Sequence, residues 1–224
     1  KNYLISNNFI NEEWNALNVL IQNASSVGHL DLKMLSQTDD NNFLFFDKLN
    51  FDKFKFLYLL GSDNLNLKKN NEFIVYQGSH GDRGAEIADV ILPSAAYTEQ
   101  NGLYSNLEGR VQECKKASYP IGDSLEDWKI FNLILKKLGK IDSLNNFETL
   151  RKESINSIIN FSQMNDLPRK NIIKNNRIES NFISEEISIK KLDYYYTNSI
   201  SRASKTMSEC RQIKEQTFKT GTNN

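Results

Sequence analysis

Two apolar runs, Ile74-Val75-Tyr76 and Val90-Ile91-Leu92, constrain the fold of this chain more than any other feature. The first ends at Gln77-Gly78, as a buried strand ends at a sharp turn. The second is stopped by Pro93, which has no N–H for a sheet ladder and disfavours helix at Leu92. Between them, Gly81-Asp82-Arg83-Gly84 supplies turn geometry and an N-cap. Ala85, Ile87 and Ala88 are small enough for a short helix packed close to a sheet, and Asp89 closes that helix. Strand, turn, short helix, strand is the unit of a parallel sheet, so the spacing predicts an α/β fold. Seven of the ten glycines, at 78, 81, 84, 102, 109, 122 and 139, lie in or just after the stretch Phe73 to Trp128. Backbone geometry is most tightly dictated there. Phe56-Leu57-Tyr58-Leu59-Leu60, ended by Gly61-Ser62-Asp63, reads as a further strand of the same sheet.

An ordered series of residues then carries a resemblance. Gln77-Gly78, His80-Gly81-Asp82, Gly84-Ala85, the run Ala88 to Pro93, Ala95-Ala96-Tyr97-Thr98-Glu99, Tyr104, Asn106, Glu108-Gly109-Arg110 and Gln112 resemble the C-terminal half of the large iron-sulfur subunit in the peripheral arm of respiratory complex I, NADH:ubiquinone oxidoreductase. The Ala-Asp-Val-Ile-Leu-Pro and Asn-x-Glu-Gly-Arg-x-Gln parts are similar to molybdopterin oxidoreductases at large. The tail from Asp193 to Cys210 resembles mitochondrial versions of the subunit. The resemblance implies an incomplete molybdopterin oxidoreductase-like parallel sheet flanked by helices, spanning residues 1–140, and a mostly helical extension and docking tail over 141–224.

It also implies a structural role. The chain would support electron transfer from NADH through iron-sulfur clusters to ubiquinone while holding no cofactor, metal or catalytic residue itself. The clusters would sit on an N-terminal half of the subunit carried by a separate chain. That half and other peripheral-arm subunits are the implied partners, on the matrix side of the mitochondrial inner membrane without direct membrane contact. The residues expected to hold the structural or interface loops are Gln77, Gly78, His80, Asp82, Arg83, Gly84, Asp89, Tyr97, Glu99, Asn106, Glu108, Arg110 and Trp128. A fragment of a molybdopterin-dependent oxidoreductase and a free-standing protein-binding adaptor remain the alternatives.

The residues themselves bound these readings. Lysine plus arginine equal aspartate plus glutamate at 28 each, which gives no electrostatic footprint for nucleic acid or an anionic membrane surface. No apolar stretch approaches the ~20 residues of a membrane helix, and no leader precedes a cleavage site, as in a soluble chain. The two cysteines, Cys114 and Cys210, are far apart and read as free thiols, too few for a cubane cluster. Ser79, His80 and Asp82 tempt a hydrolase reading, but a triad needs its Asp behind the imidazole, and no G-x-S-x-G elbow is present. Here Asp82 caps the short helix, His80 bonds the loop, and Arg83 pairs with a carboxylate or reaches a neighbouring chain. The turn at Gly61-Ser62-Asp63 lacks a G-x-G-x-x-G and makes a poor phosphate cradle.

Elsewhere the periodicity predicts helices. Asn11 caps one in which Glu12 and Glu13 face the dipole and Trp14, Leu17, Leu20-Ile21 and Ala24 form the buried face, with His29 near its end. The run Phe43 to Phe46 is too short to assign. Tyr97 to Arg110 reads as a polar loop held by glycines. Ser124 with Asp127 reads as the cap of a helix whose stripe is Trp128, Phe131, Ile134-Leu135 and Leu138, stopping at Gly139 and covering the sheet. Phe147, Leu150, Ile155 and Ile158-Ile159 suggest another helix, followed by an asparagine-rich surface loop over 165–181. Ile200, Ala203, Met207, Cys210 and Ile213 line one side of a tail helix that packs on its own domain or on another subunit.

Overall fold

The computed structural model describes residues 2–11, 16–21, 23–24, 26–32, 54–63, 67–140, 146–157, 164–166 and 193–220. The chain forms two compact units, one of residues 50–100, 117–138 and 185–224, the other of residues 1–49, 101–116 and 139–184.

The first unit is built on three parallel strands. They are β1 (Phe56–Leu60), β2 (Phe73–Gly78) and β3 (Val90–Pro93), in the order β1-β2-β3. As the sequence predicts, each apolar run is a strand, and β2 and β3 are joined through the one-turn helix α3 (Arg83–Glu86). The central strand is buried from Ile74 to Gly78, whereas Val90 and Ile91 of the edge strand stay exposed. The register pairs Leu57 with Ile74 and Leu59 with Tyr76, so the pleat brings these four to one face. There they pack with Leu67 and Ile87, and with Ala85 and Ala88 around α3. Burying a side chain such as Ile74 completely contributes about 1.5–3 kcal/mol.

The opposite face carries Phe56, Tyr58, Val75 and Gln77. Helix α4 (Asp127–Lys137) meets it, with Tyr58 and Phe131 stacked at 5.5 Å between ring centres. Three details of this helix differ from the sequence expectation. It is capped by Glu126, without a side-chain bond to its amides, and not by Ser124, whose hydroxyl donates to the Ile121 carbonyl at 2.6 Å. Leu125 is the reason: its N–H donates to the Pro93 carbonyl and its own carbonyl accepts from Ala95, so it is held extended and the helix cannot start earlier. The buried position is Ile130, while Phe131, Leu135 and Leu138 of the expected stripe are exposed.

Asp89 does not close α3, which ends at Glu86 and is capped by Ile87. Its carboxylate instead accepts from the Ile74 N–H at 2.8 Å and from Lys69 at 2.5 Å, tying the start of β2 to the start of β3. The tail of this unit comprises α6 (Ser199–Ala203) and α7 (Lys205–Thr220), with Ser204 between them. Ile200 and Met207 are half-buried, but Ala203, Cys210 and Ile213 are exposed. Asp193 accepts from Arg211 at 2.6 Å, and the Arg211 guanidinium lies 4.9 Å from the Tyr196 ring centre, clamping the tyrosine-rich turn to α7.

The second unit contains the short helices α1 (Asn2–Ser6) and α2 (Ser26–Asp31), helix α5 (Phe147–Ser157), and an antiparallel hairpin of β4 (Gly102–Ser105) and β5 (Val111–Cys114). The helix expected from Asn11 is not formed over residues 16–21, which are irregular, with Leu17, Val19, Leu20 and Ile21 exposed. Leu17, Val19 and Ile21 alternate at period two, which competes with the helical spacing of Leu17 and Leu20-Ile21, and Val, Ile and Asn are weak helix formers. His29 lies in the last turn of α2. The Tyr97–Arg110 segment is a loop only in its first part, since residues from Gly102 onward enter the hairpin. Helix α5 joins the hairpin through Arg151 and Glu113 at 3.1 Å. Glu12, Glu13, Trp14, the run Phe43–Phe46, Ile158-Ile159 and most of the 165–181 stretch lie outside the described residues. Both cysteines are free.

Candidate functional site at the carboxyl end of the sheet

Open parallel sheets bind ligands beyond the carboxyl ends of their strands, so the turns after β1 and β2 are where a site would be sought. Gly61-Ser62-Asp63 follows β1, and Ser79 to Asp82 follows β2. Tyr76, on the core face near the end of β2, donates its hydroxyl to the Asp63 carboxylate. The other Asp63 oxygen faces Arg202 of α6, with Nη2 at 3.5 Å, and the Arg202 Nε donates to Asp82 Oδ2 at 2.7 Å. One guanidinium from the tail therefore spans the two carboxylates that follow the two strands.

Asp82 is held on three counts. It has a left-handed φ of 68°, unusual for a residue with a side chain, its Oδ1 accepts from the Arg83 N–H at 3.0 Å, and its Oδ2 is taken by Arg202. Gly84 must be glycine for contact reasons: a Cβ there would lie 2.6 Å from the Ser62 carbonyl oxygen and 2.8 Å from the Tyr76 ring. Burial pushes the Asp63 carboxyl up, against the opposing pull of its Tyr76 hydrogen bond and Arg202. Burial, with the Asp63 hydrogen bond and charge, pushes the Tyr76 phenol well above its ordinary range.

On the other face, Gln77 is fully buried and centres a second network. Tyr58 donates to Gln77 Oε1, and Gln77 Nε2 donates to Asp127 Oδ1 at 2.6 Å. Gln100 donates to Asp127 Oδ2 at 2.8 Å and accepts from the Asp127 N–H at 3.1 Å. Burial raises the Tyr58 phenol, and the Asp127 charge adds to it. The first turn of α4 is thus fixed to β2 and to the 97–100 loop by matched donors and acceptors.

The residues singled out in the sequence fall in several places. Gln77, Asp82 and Gly84 belong to the networks just described, and Gly78 ends β2 with its Cβ position against the Tyr76 ring. His80 is exposed, its Nδ1 2.8 Å from the Ser79 hydroxyl, while Asp82 is turned to Arg202, so the three do not form a relay. Arg83 pairs with Glu86 at 2.9 Å on the surface. Asp89 bonds Ile74 and Lys69, Tyr97 is exposed, and Glu99 accepts from the Ala96 N–H at 3.0 Å. Trp128 donates its indole N–H to the buried Glu126 at 2.8 Å.

In the hairpin of the other unit, Asn106 Oδ1 accepts from the N–H groups of Glu108 and Arg110 at 3.0 and 2.9 Å, and Gly109 takes φ 82°. Asn106 builds the turn, and Glu108 is displayed on it. Sequence reasoning missed Tyr58, Tyr76, Gln100 and Arg202 as network members. It placed Asp63 in a turn and Asp127 in a cap without seeing either role.

The resemblance to molybdopterin oxidoreductases implies a pterin, and the residues at the carboxyl end of the sheet do not fit one. Their polar groups are engaged with one another, two of them are carboxylates that would repel a phosphate-bearing group, and Gly84 serves close packing and not an open cradle. Among the described residues no group of three or more His, Cys, Asp or Glu side chains is placed to hold a metal ion.

Residues 1–137 match the molybdopterin oxidoreductase family, and residues 169–210 match the C-terminal region of the G-type subunit of NADH-ubiquinone oxidoreductase. Among relatives, the NADH-ubiquinone oxidoreductase 75 kDa subunit of Reclinomonas americana is 39% identical over 89% of this chain and 29% of its own length. The G-type subunit of NADH-quinone oxidoreductase from Rickettsia typhi is 37% identical over 93% of this chain and 29% of its own. The mitochondrial NADH dehydrogenase (ubiquinone) iron-sulfur protein 1 of Solanum tuberosum is 34% identical over 93% and 28%. The chain spans less than a third of the length of these relatives. With more than half of its residues matched by one family, the chain belongs to the molybdopterin oxidoreductase family, and its relatives there are subunits of NADH-ubiquinone and NADH-quinone oxidoreductases.

Proposed function

We propose that this chain is the C-terminal structural module of a peripheral-arm subunit of complex I, on the matrix side of the mitochondrial inner membrane. It supports electron transfer from NADH to ubiquinone by holding the cluster-bearing region of the subunit in place, and carries no cluster or catalytic residue. That region and other peripheral-arm subunits are its partners. A separate chain carrying the clusters is the finer form of this proposal.

The observation that carries the reading is the closed ionic network at the carboxyl end of the sheet. Where a member of this family could hold a cofactor, this chain spends Tyr76, Asp63, Asp82 and Arg202 on joining its tail to its sheet. That is the chemistry of a scaffold. Likeness to complex I subunits in both the sheet region and the tail supports the assignment to that assembly. Among the described residues no helix is long and apolar enough to cross a membrane, which agrees with a place in the peripheral arm.

Native separation of mitochondrial membrane complexes, followed by mass spectrometry of the band that carries this chain, tests the proposal. Co-migration with NADH dehydrogenase activity and a cluster-bearing polypeptide is the expected result. Migration as a free species, as an adaptor would show, or with a molybdenum enzyme overturns it. The measured mass of the polypeptide in the complex decides between one chain and two.

A further inference from the structure

The tail reaches the sheet at the one place where an open parallel sheet would otherwise offer a crevice. Helix α6 is rigidly started: Asn198 Oδ1 accepts from the Ser201 N–H at 2.9 Å, and the Asn198 N–H donates to the Ser201 hydroxyl at 3.1 Å, a reciprocal capping box. The box fixes the rotation of a helix of only five residues, and so where Arg202 points. Arg202 is largely buried, with 19% of its side chain exposed, and Asp63 is more so at 10%. A cation so placed could not be left without partners, and neither could the carboxylate beneath it.

We propose that α6 is an internal stopper of the carboxyl-end crevice, latched by Arg202 between Asp63 and Asp82. The tail thereby closes, from within the same chain, the position where other members of the fold could admit an anionic cofactor. Three features converge on it. The two carboxylates come from the turns after two adjacent strands, so one group placed beyond the carboxyl end of the sheet meets both. Guanidinium is the side-chain group whose separate N–H donors can serve two acceptors at once. Asp82 is held at a left-handed φ of 68°, a conformation kept only where its surroundings over-determine it; here the α3 cap and the Arg202 bond both do so. The stopper goes beyond the complex I assignment and does not depend on it.

Hydrogen exchange on the full chain tests the latch. Two amides report on it: Gly84, whose N–H donates to the Asp63 carbonyl at 3.2 Å, and Arg202, whose N–H donates to the Asn198 carbonyl at 3.0 Å. In Arg202→Ala both are expected to lose protection by about tenfold or more, the loss of an interaction of this burial. Guanidinium chloride, at concentrations far below its denaturing range, should restore protection at Gly84 by refilling the site, whereas equal ionic strength of sodium chloride should not. Asp82→Asn serves as a second variant that keeps the fold in case Arg202→Ala does not. It should loosen residues 198–204 while leaving amides within α7 unchanged. Unaltered protection at Arg202 in Asp82→Asn, or recovery of Arg202→Ala by sodium chloride as fully as by guanidinium, would overturn the latch. Neither result bears on whether the chain migrates with complex I.

Discussion

Tyr76 and Gln77 are neighbours on one strand, yet the pleat sends them to opposite faces, and the two faces are held by different chemistry. Beneath Gln77 the partners are an amide, a phenol and one carboxylate, and the donors and acceptors of β2 are matched by groups from β1, α4 and the 97–100 loop. Beneath Tyr76 the balance is ionic, with two aspartates set against one guanidinium from a helix far away in sequence. The first arrangement fixes a helix that must sit on the sheet for the unit to exist. The second fastens a tail to a sheet whose core of Leu59, Leu67, Ile74 and Ile87 is already complete without it. The polar network on the Gln77 side therefore holds the unit's own helix, and the ionic network on the Tyr76 side docks the tail.

Asp127→Ala should have the largest effect and separates the two faces most sharply. It removes the acceptor of the fully buried Gln77 amide and one of the two acceptors of Gln100, at a cost of about 3 kcal/mol. Denaturant unfolding would read this as a loss of global stability, whereas removing the ionic contacts of Arg202 on the Tyr76 side should act mainly on tail protection. An equal global loss from Arg202→Ala would erase the distinction.

Gly84→Ala comes next. Its Cβ would collide with the Ser62 carbonyl, a backbone atom that cannot swing aside, so the α3 turn or β1 must shift. Overpacking of this kind costs about 1–3 kcal/mol. The same denaturant measurement should show the loss, accompanied by looser tail contacts because Asp63 and Asp82 flank the site. A neutral substitution would mean that the close approach is dispensable.

The three strands, the one-turn helix and α4 were all legible because each rests on a local pattern: an apolar run, a glycine turn, a repeat of three or four. The hairpin was missed: Gly-Leu-Tyr-Ser and Val-Gln-Glu-Cys flank an Asn and a Gly placed for a turn, but the polar character of the segment gave a loop reading instead. Leu125 could not have been foreseen as the residue that delays α4, because its partners Pro93 and Ala95 are fixed by the parallel register. Arg202 carried no local sign at all. It lies 120 residues from Asp82 and 139 from Asp63, and nothing about an arginine in a polar tail says which carboxylates it will meet.

Asn106→Ala tests the purely local end of that scale. It deletes the acceptor for two turn amides in the hairpin, and a cost of about 1 kcal/mol is expected. The loss should appear as faster exchange at Glu108 and Arg110, with no change at Gln77 or Gly84. A response at those sheet positions would show that the hairpin is not an independent element.

The smallest effect is a pH dependence in which two aspartates of the sheet unit act with opposite sign. Asp63 is raised above its ordinary value of 3.8, first by burial, so between 3.8 and its folded value the native state binds more protons than the unfolded one. Stability from this group therefore falls as pH rises through that window. Asp89 is lowered below 3.8, first by its hydrogen bond from Lys69 and then by that from the Ile74 N–H. Its contribution is present above 3.8 and is lost as pH falls toward its folded value. Denaturant midpoints measured across the acid range should respond accordingly: Asp63→Asn removes the decline above 3.8, and Asp89→Asn removes the fall below it. Should Asp63→Asn instead remove a rise as pH climbs toward 3.8, the pull of Arg202 and Tyr76 outweighs burial. The tail latch would then be a source of stability at neutral pH, and the division between the two faces would lose its basis.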